Sequence, residues 1–138
     1  MSRRYVLDAC ALIALVKGES GAEIVAGLYE EAQFGDAVIL INAVNLLEVY
    51  YGFRREHDSD YADAILRNVG ESIVEITEVS RVIIREAGRI KSEHKRISLA
   101  DSIALAEASN RGGYLVTSDH HEMDVLDEAG VVNILWIR

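Results

Sequence analysis

The sequence contains no proline and only one cysteine, Cys10, among its 138 residues. A single cysteine excludes an internal disulfide and fits a reducing, cytoplasmic environment. No apolar run approaches the roughly 20 residues that a membrane-spanning helix needs, and the N-terminus lacks a signal-peptide pattern. Low-complexity tracts and repeats are absent as well. We therefore expect a cytoplasmic protein, not associated with membranes, in which residues 1–138 form one domain.

Positive charge is also scarce, because the formal net charge is −9. Proteins that hold nucleic acid by general electrostatic attraction are basic. Either nucleic acid is not the ligand, or it binds locally with the help of metal ions and a basic patch. The candidate patch is a helical stripe of Arg81, Arg85 and Arg89, which could follow an RNA backbone, although such stripes are more often simply solvated.

Short apolar, often β-branched runs alternate with stretches of helical period. Strands are predicted at residues 5–7, 37–41, 73–76, 114–117 and 133–137. Helices are predicted at residues 9–17, 22–33, 43–54, 58–68, 81–95, 99–110 and 122–129. This alternation indicates an α/β fold with a mainly parallel sheet of about five strands.

Acidic residues follow two of the predicted strands. Asp8 comes directly after the first strand, and Asp119 follows the fourth, so both should lie at the carboxyl edge of the sheet, where open α/β folds bind ligands. Each could instead be a helix cap or a turn residue. Glu48 is the only charge between Asp36 and Arg54 on an otherwise apolar helix, although it could equally be a lone solvated side chain.

Asp101 lies on the predicted inward face of its helix, together with Ala104 and Leu105. An unpaired buried carboxylate is costly, so this side chain needs a cation or several hydrogen-bond donors. The competing explanation is a capping box, because Ser98 stands three residues before Asp101. The two roles can coexist.

These four acids together indicate a chemistry that one acid alone does not. Carboxylates that converge in a dry cleft repel one another unless a divalent cation neutralises them, and oxygen ligands favour Mg²⁺ or Mn²⁺. Such an ion can activate water and stabilise charge on a phosphate, which makes phosphodiester hydrolysis the natural reaction. The adjacent His120 and His121 lack the spacing of zinc hydrolases, and no late lysine completes a phosphoacceptor site.

Four segments of the chain resemble a known family in order and separation. They are Tyr-Val-Leu-Asp-Ala-Cys-Ala-Leu-Ile-Ala at 5–14, Asn-Leu-Leu-Glu-Val-Tyr-Tyr-Gly at 45–52, Ser-Leu-Ala-Asp-Ser-Ile-Ala-Leu-Ala at 98–106 and Leu-Val-Thr-Ser-Asp at 115–119. The sequence resembles the PIN-domain ribonucleases, and within them the VapC-type toxins of bacterial and archaeal toxin-antitoxin pairs.

This resemblance implies a three-layer α/β/α sandwich in which Asp8, Glu48, Asp101 and Asp119 line one Mg²⁺- or Mn²⁺-dependent site that hydrolyses RNA. It also implies a homodimer of toxin chains. A small antitoxin protein would neutralise the toxin by laying its tail across the site.

The chain departs from the family pattern beside the implied metal ligands. Many relatives carry a further acid where this chain has His121, so either the remaining carboxylates suffice or Asp124 reaches the site. Cys10 stands where a hydroxyl is common, and Thr117 or Ser118 can supply that hydroxyl instead. Asn45, one helical turn before Glu48, is another neighbour expected near the metal. These departures leave open a PIN-fold module with a weakened site that binds RNA or a partner protein without cleavage.

Overall fold

The computed structural model describes residues 2–138, and a five-stranded sheet forms its centre. The strands are β1 (Arg3–Leu7), β2 (Ala37–Asn42), β3 (Glu75–Thr77), β4 (Tyr114–Thr117) and β5 (Asn133–Trp136). Their order is β3-β2-β1-β4-β5, and all four neighbouring pairs are parallel. The predicted parallel sheet is therefore confirmed, with β1 at its centre.

Helices cover both faces of this sheet. They are α1 (Ala9–Lys17), α2 (Ala22–Gln33), α3 (Ala43–Glu56), α4 (Ser59–Glu71), α5 (Arg81–Glu93), α6 (Leu99–Asn110) and α7 (His120–Glu128). Alternate residues of β1 point to opposite sides: Tyr5 and Leu7 join a core under α1 to α4, and Val6 joins a second core under α5, α6 and α7. This arrangement is the predicted three-layer α/β/α sandwich. No helix within residues 2–138 is long and apolar enough to cross a membrane.

Three predicted boundaries differ from those of the structure. Helix α4 continues past Gly70 to Glu71, and Ser72 then bonds its hydroxyl to the carbonyl of Val69, so β3 begins later than predicted. Helix α5 ends at Glu93 instead of continuing to residue 95. Residues 94–98 therefore form a loop that leads into α6.

Helix α6 runs back along the second face of the sheet and is buried on every side. All residues from Ala100 to Ala108 are buried, as expected for a helix that is rich in alanine and packed between neighbouring helices and the sheet. Gly113 lets the chain re-enter the sheet beside β1, because a Cβ atom there would lie 2.5 Å from the carbonyl oxygen of Arg4. Because the C-terminal end of α6 leads into the start of β4, the first turn of α6 lies at the carboxyl edge of the strands.

Candidate active site

Asp8 lies at the carboxyl end of β1 and caps α1, so the cap and the sheet-edge position occur together. Its Oδ1 accepts a hydrogen bond from the backbone N–H of Ala11 at 2.9 Å, and its Oδ2 accepts one from the hydroxyl of Thr117. Burial raises the pKa of the Asp8 carboxyl to about 6, although these two hydrogen bonds act in the opposite direction. Asp8 is thus fixed in place by both α1 and β4.

Thr117 connects two of the predicted acids. Its hydroxyl donates to Asp8 and accepts a bond from the backbone N–H of Asp119 at 3.0 Å. Asp119 caps α7, because its Oδ1 accepts from the backbone N–H of Glu122 at 3.3 Å. Thr117 therefore supplies the hydroxyl that the sequence lacks at Cys10.

The group of three acids that lie closest together in the described residues includes Glu122, which was not among the predicted site residues. One carboxylate oxygen from each of Asp101, Asp119 and Glu122 lies within 4.8 Å of the other two. Asp101 is 9% exposed, whereas Asp119 and Glu122 are half-buried. Glu122 stands one residue beyond the position at which relatives often carry an acid, and helix α7 turns it toward the site.

Glu122, and not Asp101, provides the second bond of the predicted capping box at Ser98. The hydroxyl of Ser98 accepts from the backbone N–H of Asp101 at 3.1 Å, which is half of the predicted capping box. The reciprocal bond comes from Glu122, whose Oε2 accepts from the backbone N–H of Ser98 at 3.4 Å. The spacing Asp119-x-x-Glu122, a helix cap followed by an acid three residues later, could have identified Glu122 from sequence.

The Asp101 and Glu122 carboxyls each have an oxygen within 4.8 Å of the other. Burial raises the pKa of Asp101, and the adjacent Glu122 carboxyl raises it further, whereas Asp101 lowers the pKa of Glu122. Two carboxylates this close together repel each other unless a proton or a cation compensates their charge.

Glu48 lies beside this group without joining its three oxygens. Burial raises its pKa, the negative charges of Glu122 and Asp119 contribute, and a hydrogen bond from Asn45 opposes the change. The buried Asn45 side chain also donates to the carbonyl of Ala100 at 3.1 Å, which ties α3 to the first turn of α6. Asn45 thus links α3, which carries Glu48, to the part of α6 that carries Asp101.

The remaining residues expected near the metal fall in different places. Cys10 is half-buried, and burial together with four nearby acids, Asp8 first among them, raises the pKa of its thiol to about 12. Asp124 is exposed and bonds Nδ1 of His120 at 2.8 Å, so its carboxylate is paired outside the group of three acids. His121 is exposed at the mouth of a neighbouring cavity, and Ser118 is half-buried next to Asp119.

The arginine stripe lies along α5, away from the acids. Arg85 and Arg89 border the C-terminal end of α6 near Ser109 and Asn110, whereas Asp101 is in its first turn. The guanidinium group of Arg89 is also paired with two glutamates of its own helix. RNA contact by Arg81, Arg85 and Arg89 stays a prediction, and any such contact would be distant from the acid group.

Comparison with solved structures identifies the same fold in toxin-antitoxin proteins. A VapBC2 complex from Rickettsia felis bound to promoter DNA contains a chain with a TM-score of 0.74 and 16% identity, covering 96% of this chain and 98% of that one. DNA-bound VapBC from Salmonella typhimurium gives 0.74 and 15% over the full length of both chains. VapC20 from Mycobacterium tuberculosis, a toxin that cleaves the sarcin-ricin loop, gives 0.68 and 14%, covering 91% and 95%.

A search of curated protein sequences finds no significant match. The model of the PIN domain family, in contrast, matches residues 5–129, which include Asp8, Glu48, Asp101, Asp119 and Glu122. The chain therefore belongs to the PIN domain family, the ribonuclease family that its sequence resembles.

Proposed function

We propose that this protein is a metal-dependent endoribonuclease that acts as the toxin of a toxin-antitoxin pair. The observation that carries the proposal is the convergence of Asp101, Asp119 and Glu122 oxygens within 4.8 Å at the carboxyl edge of a PIN-domain sheet. Asp8 and Glu48 lie beside that group. Burial raises the pKa of both, and the negative charge of neighbouring acids contributes. The proposed set is therefore the four predicted acids with Glu122 added.

The residues fit a small divalent cation. All the donors are carboxylate oxygens, which Mg²⁺ and Mn²⁺ prefer, and three of them come from acids whose oxygens lie within 4.8 Å of one another. A cation between these acids would offset their mutual repulsion. When bound, the cation supplies Lewis-acid activation of water and stabilises negative charge on the phosphate.

The protein's own part is to hold these oxygens in place. Asp8 is fixed by Ala11 and Thr117, and Thr117 in turn fixes the start of α7 through the backbone of Asp119. Ser98 fixes the N–H of Asp101 and is itself bonded by Glu122. These bonds hold the acids in a fixed arrangement before a substrate binds.

RNA cleavage with Mg²⁺ or Mn²⁺, and its loss in EDTA, tests this function. We expect Asp101→Asn to lower the cleavage rate by at least about a thousandfold, because the variant removes a ligand charge that the transition state needs. Asp60→Asn, an exposed acid in the first turn of α4, is the matched control and should cleave normally. Equal cleavage by Asp101→Asn, or undiminished cleavage in EDTA, would contradict the proposal.

The partner proteins follow from the same family. The solved VapBC structures contain toxin and antitoxin together, and we propose an equivalent small antitoxin for this chain, which would itself form a homodimer. Expression of the chain alone should arrest growth, and the Asp101→Asn variant should not. Growth arrest by both forms would separate toxicity from nuclease activity.

A further inference from the structure

A cavity of about 270 Å³ opens next to the acid group, between the loop 94–98 and α7. Buried Ile97 and Leu126 form its apolar floor, and Val125, which is 65% exposed, stands at its edge. The remaining lining residues are the acid Glu122 and four basic residues, namely His94, Lys95, Arg96 and His121. The cavity thus combines an apolar base with a cationic rim.

Glu122 belongs to both the cavity and the acid group. Its bond to the backbone N–H of Ser98 joins the loop to α7 across the boundary between them. Lys91 fixes the loop from the other side, because its Nζ donates to the carbonyls of Ile97 at 2.7 Å and Lys95 at 3.3 Å. The cavity is therefore preformed and continuous with the proposed active site.

Its charge is opposite to that of the molecule. The chain carries a net charge of −9, yet the exposed Lys95 and Arg96 stand together in this loop beside the acids. A cationic rim attracts a polyanion and repels the basic tail that an acidic site would attract from an antitoxin. An apolar floor beneath a cationic rim matches a nucleobase with its attached phosphate.

We propose that this cavity binds the nucleotide of the RNA substrate that adjoins the cleaved phosphate. The base would lie against Ile97, Val125 and Leu126, and the backbone phosphate would contact Lys95 and Arg96. This inference rests on the proposed ribonuclease function. It adds a substrate-binding surface formed by the loop 94–98, of which residues 94 and 95 were predicted to belong to helix α5.

Removing the two loop charges tests the phosphate contact. For a single-stranded oligoribonucleotide of roughly ten nucleotides, Lys95→Ala with Arg96→Ala should raise KM roughly tenfold and reduce the salt slope of binding by about two, with kcat retained. Arg54→Ala with Arg55→Ala makes the same charge change in the last turn of α3 and serves as the control. A KM and salt slope equal to the control's would overturn the proposal.

Blocking the apolar floor tests the base contact separately. Val125→Glu places a carboxylate at the cavity edge on an exposed position, so the fold should be retained while KM rises severalfold; Leu66→Glu, exposed on α4, is the control. An oligoglutamate peptide should compete poorly with the RNA. Competition equal to that of unlabelled RNA would assign the cavity to an acidic protein segment and overturn the proposal.

Failure of this inference is distinct from failure of the proposed function. If the unmodified protein does not cleave RNA at all, the ribonuclease assignment fails. The cavity is then tested by the Kd of the same oligoribonucleotide in EDTA. If cleavage occurs but the loop and Val125 variants retain normal KM, only the substrate-binding role of the cavity is wrong.

Discussion

Helix α6 carries two buried carboxylates in contrasting surroundings. Glu107, near its C-terminal end, is 1% exposed and fully paired: Oε1 accepts from Asn42 at 2.9 Å and Thr77 at 2.7 Å, and Oε2 pairs with Arg111 at 3.0 Å. Asp101, in the first turn, instead faces other acids.

The contrast teaches that burial of an acid does not by itself mark a functional site. Glu107 has the donors that compensate for its lost hydration, and its bonds join α6 to the ends of β2 and β3. Asp101 has a carboxyl neighbour where Glu107 has an arginine. An acid whose neighbours raise its energy is a candidate for binding a cation, whereas an acid with a complete set of donors stabilises the fold.

Glu107→Ala should have the largest effect on stability. It leaves Asn42, Thr77 and Arg111 without their shared acceptor, and breaking a buried pair of this kind costs about 3–5 kcal/mol. The lower end of that range applies because the Arg111 side chain is 37% exposed and can regain water. Urea denaturation measures the loss, and Glu107→Gln, which preserves the shape, should lose less. A change below about 1 kcal/mol would remove the contrast between the two ends of α6.

The stability of the cation-free protein should depend on pH through Asp8. Its pKa is raised from 3.8 to about 6 in the folded protein, so the folded state holds the proton more tightly. The stability that the protonated form contributes is fully present below about pH 4 and is lost as the pH rises through about 6. Two units correspond to about 3 kcal/mol.

Thermal unfolding in EDTA between about pH 4 and 8 measures this loss. Asp8→Asn cannot ionise, so its unfolding temperature should fall less than that of the unmodified protein over the same interval. Parallel pH profiles for the two proteins would contradict a strained, buried Asp8. Asp8, at the end of β1, is thus tested as a third buried acid beside Glu107 and Asp101.

Much of this arrangement could be predicted from sequence because strand order and sheet edge constrain it. The apolar runs before Asp8 and Asp119 placed both acids at the same edge, and parallel pairing of β1 with β4 brings them together. Glu48 and Asp101 followed from helical position. The central sheet required only the alternation of apolar strands and helices.

Other features depend on contacts between distant residues. The spacing after Asp119 could have singled out Glu122, but its bond to Ser98, 24 residues away, could not be predicted. The role of Glu107 could not be predicted, because its partners Asn42 and Thr77 lie on β2 and β3, far from α6 in the sequence. Helix α5 ends at Glu93, two residues before its predicted end, so His94 and Lys95 belong to the loop and not to the helix.

Glu122→Gln tests whether the unpredicted acid is a cation ligand. The amide oxygen can still accept the bond from Ser98, so the fold and the loop should be retained while one carboxylate is lost. We expect the affinity for Mn²⁺ to fall by about 10–100-fold, as measured by calorimetry. Glu128→Gln, the last residue of the same helix, is the control. If both variants bind Mn²⁺ with the same affinity, Glu122 is not a cation ligand and serves only to bond Ser98.

Cys10→Ser should have the smallest effect. The thiol is half-buried and stays protonated, since burial and the neighbouring acids raise its pKa to about 12; it therefore acts as a small apolar group with weak hydrogen bonding. A serine hydroxyl is a stronger donor to the same carboxylates, whose other hydroxyl partner is Thr117. Stability should change by less than about 1 kcal/mol and Mn²⁺ affinity by no more than a few-fold. A loss of affinity beyond about tenfold would mean that the thiol itself organises the acids, and that Thr117 does not replace it.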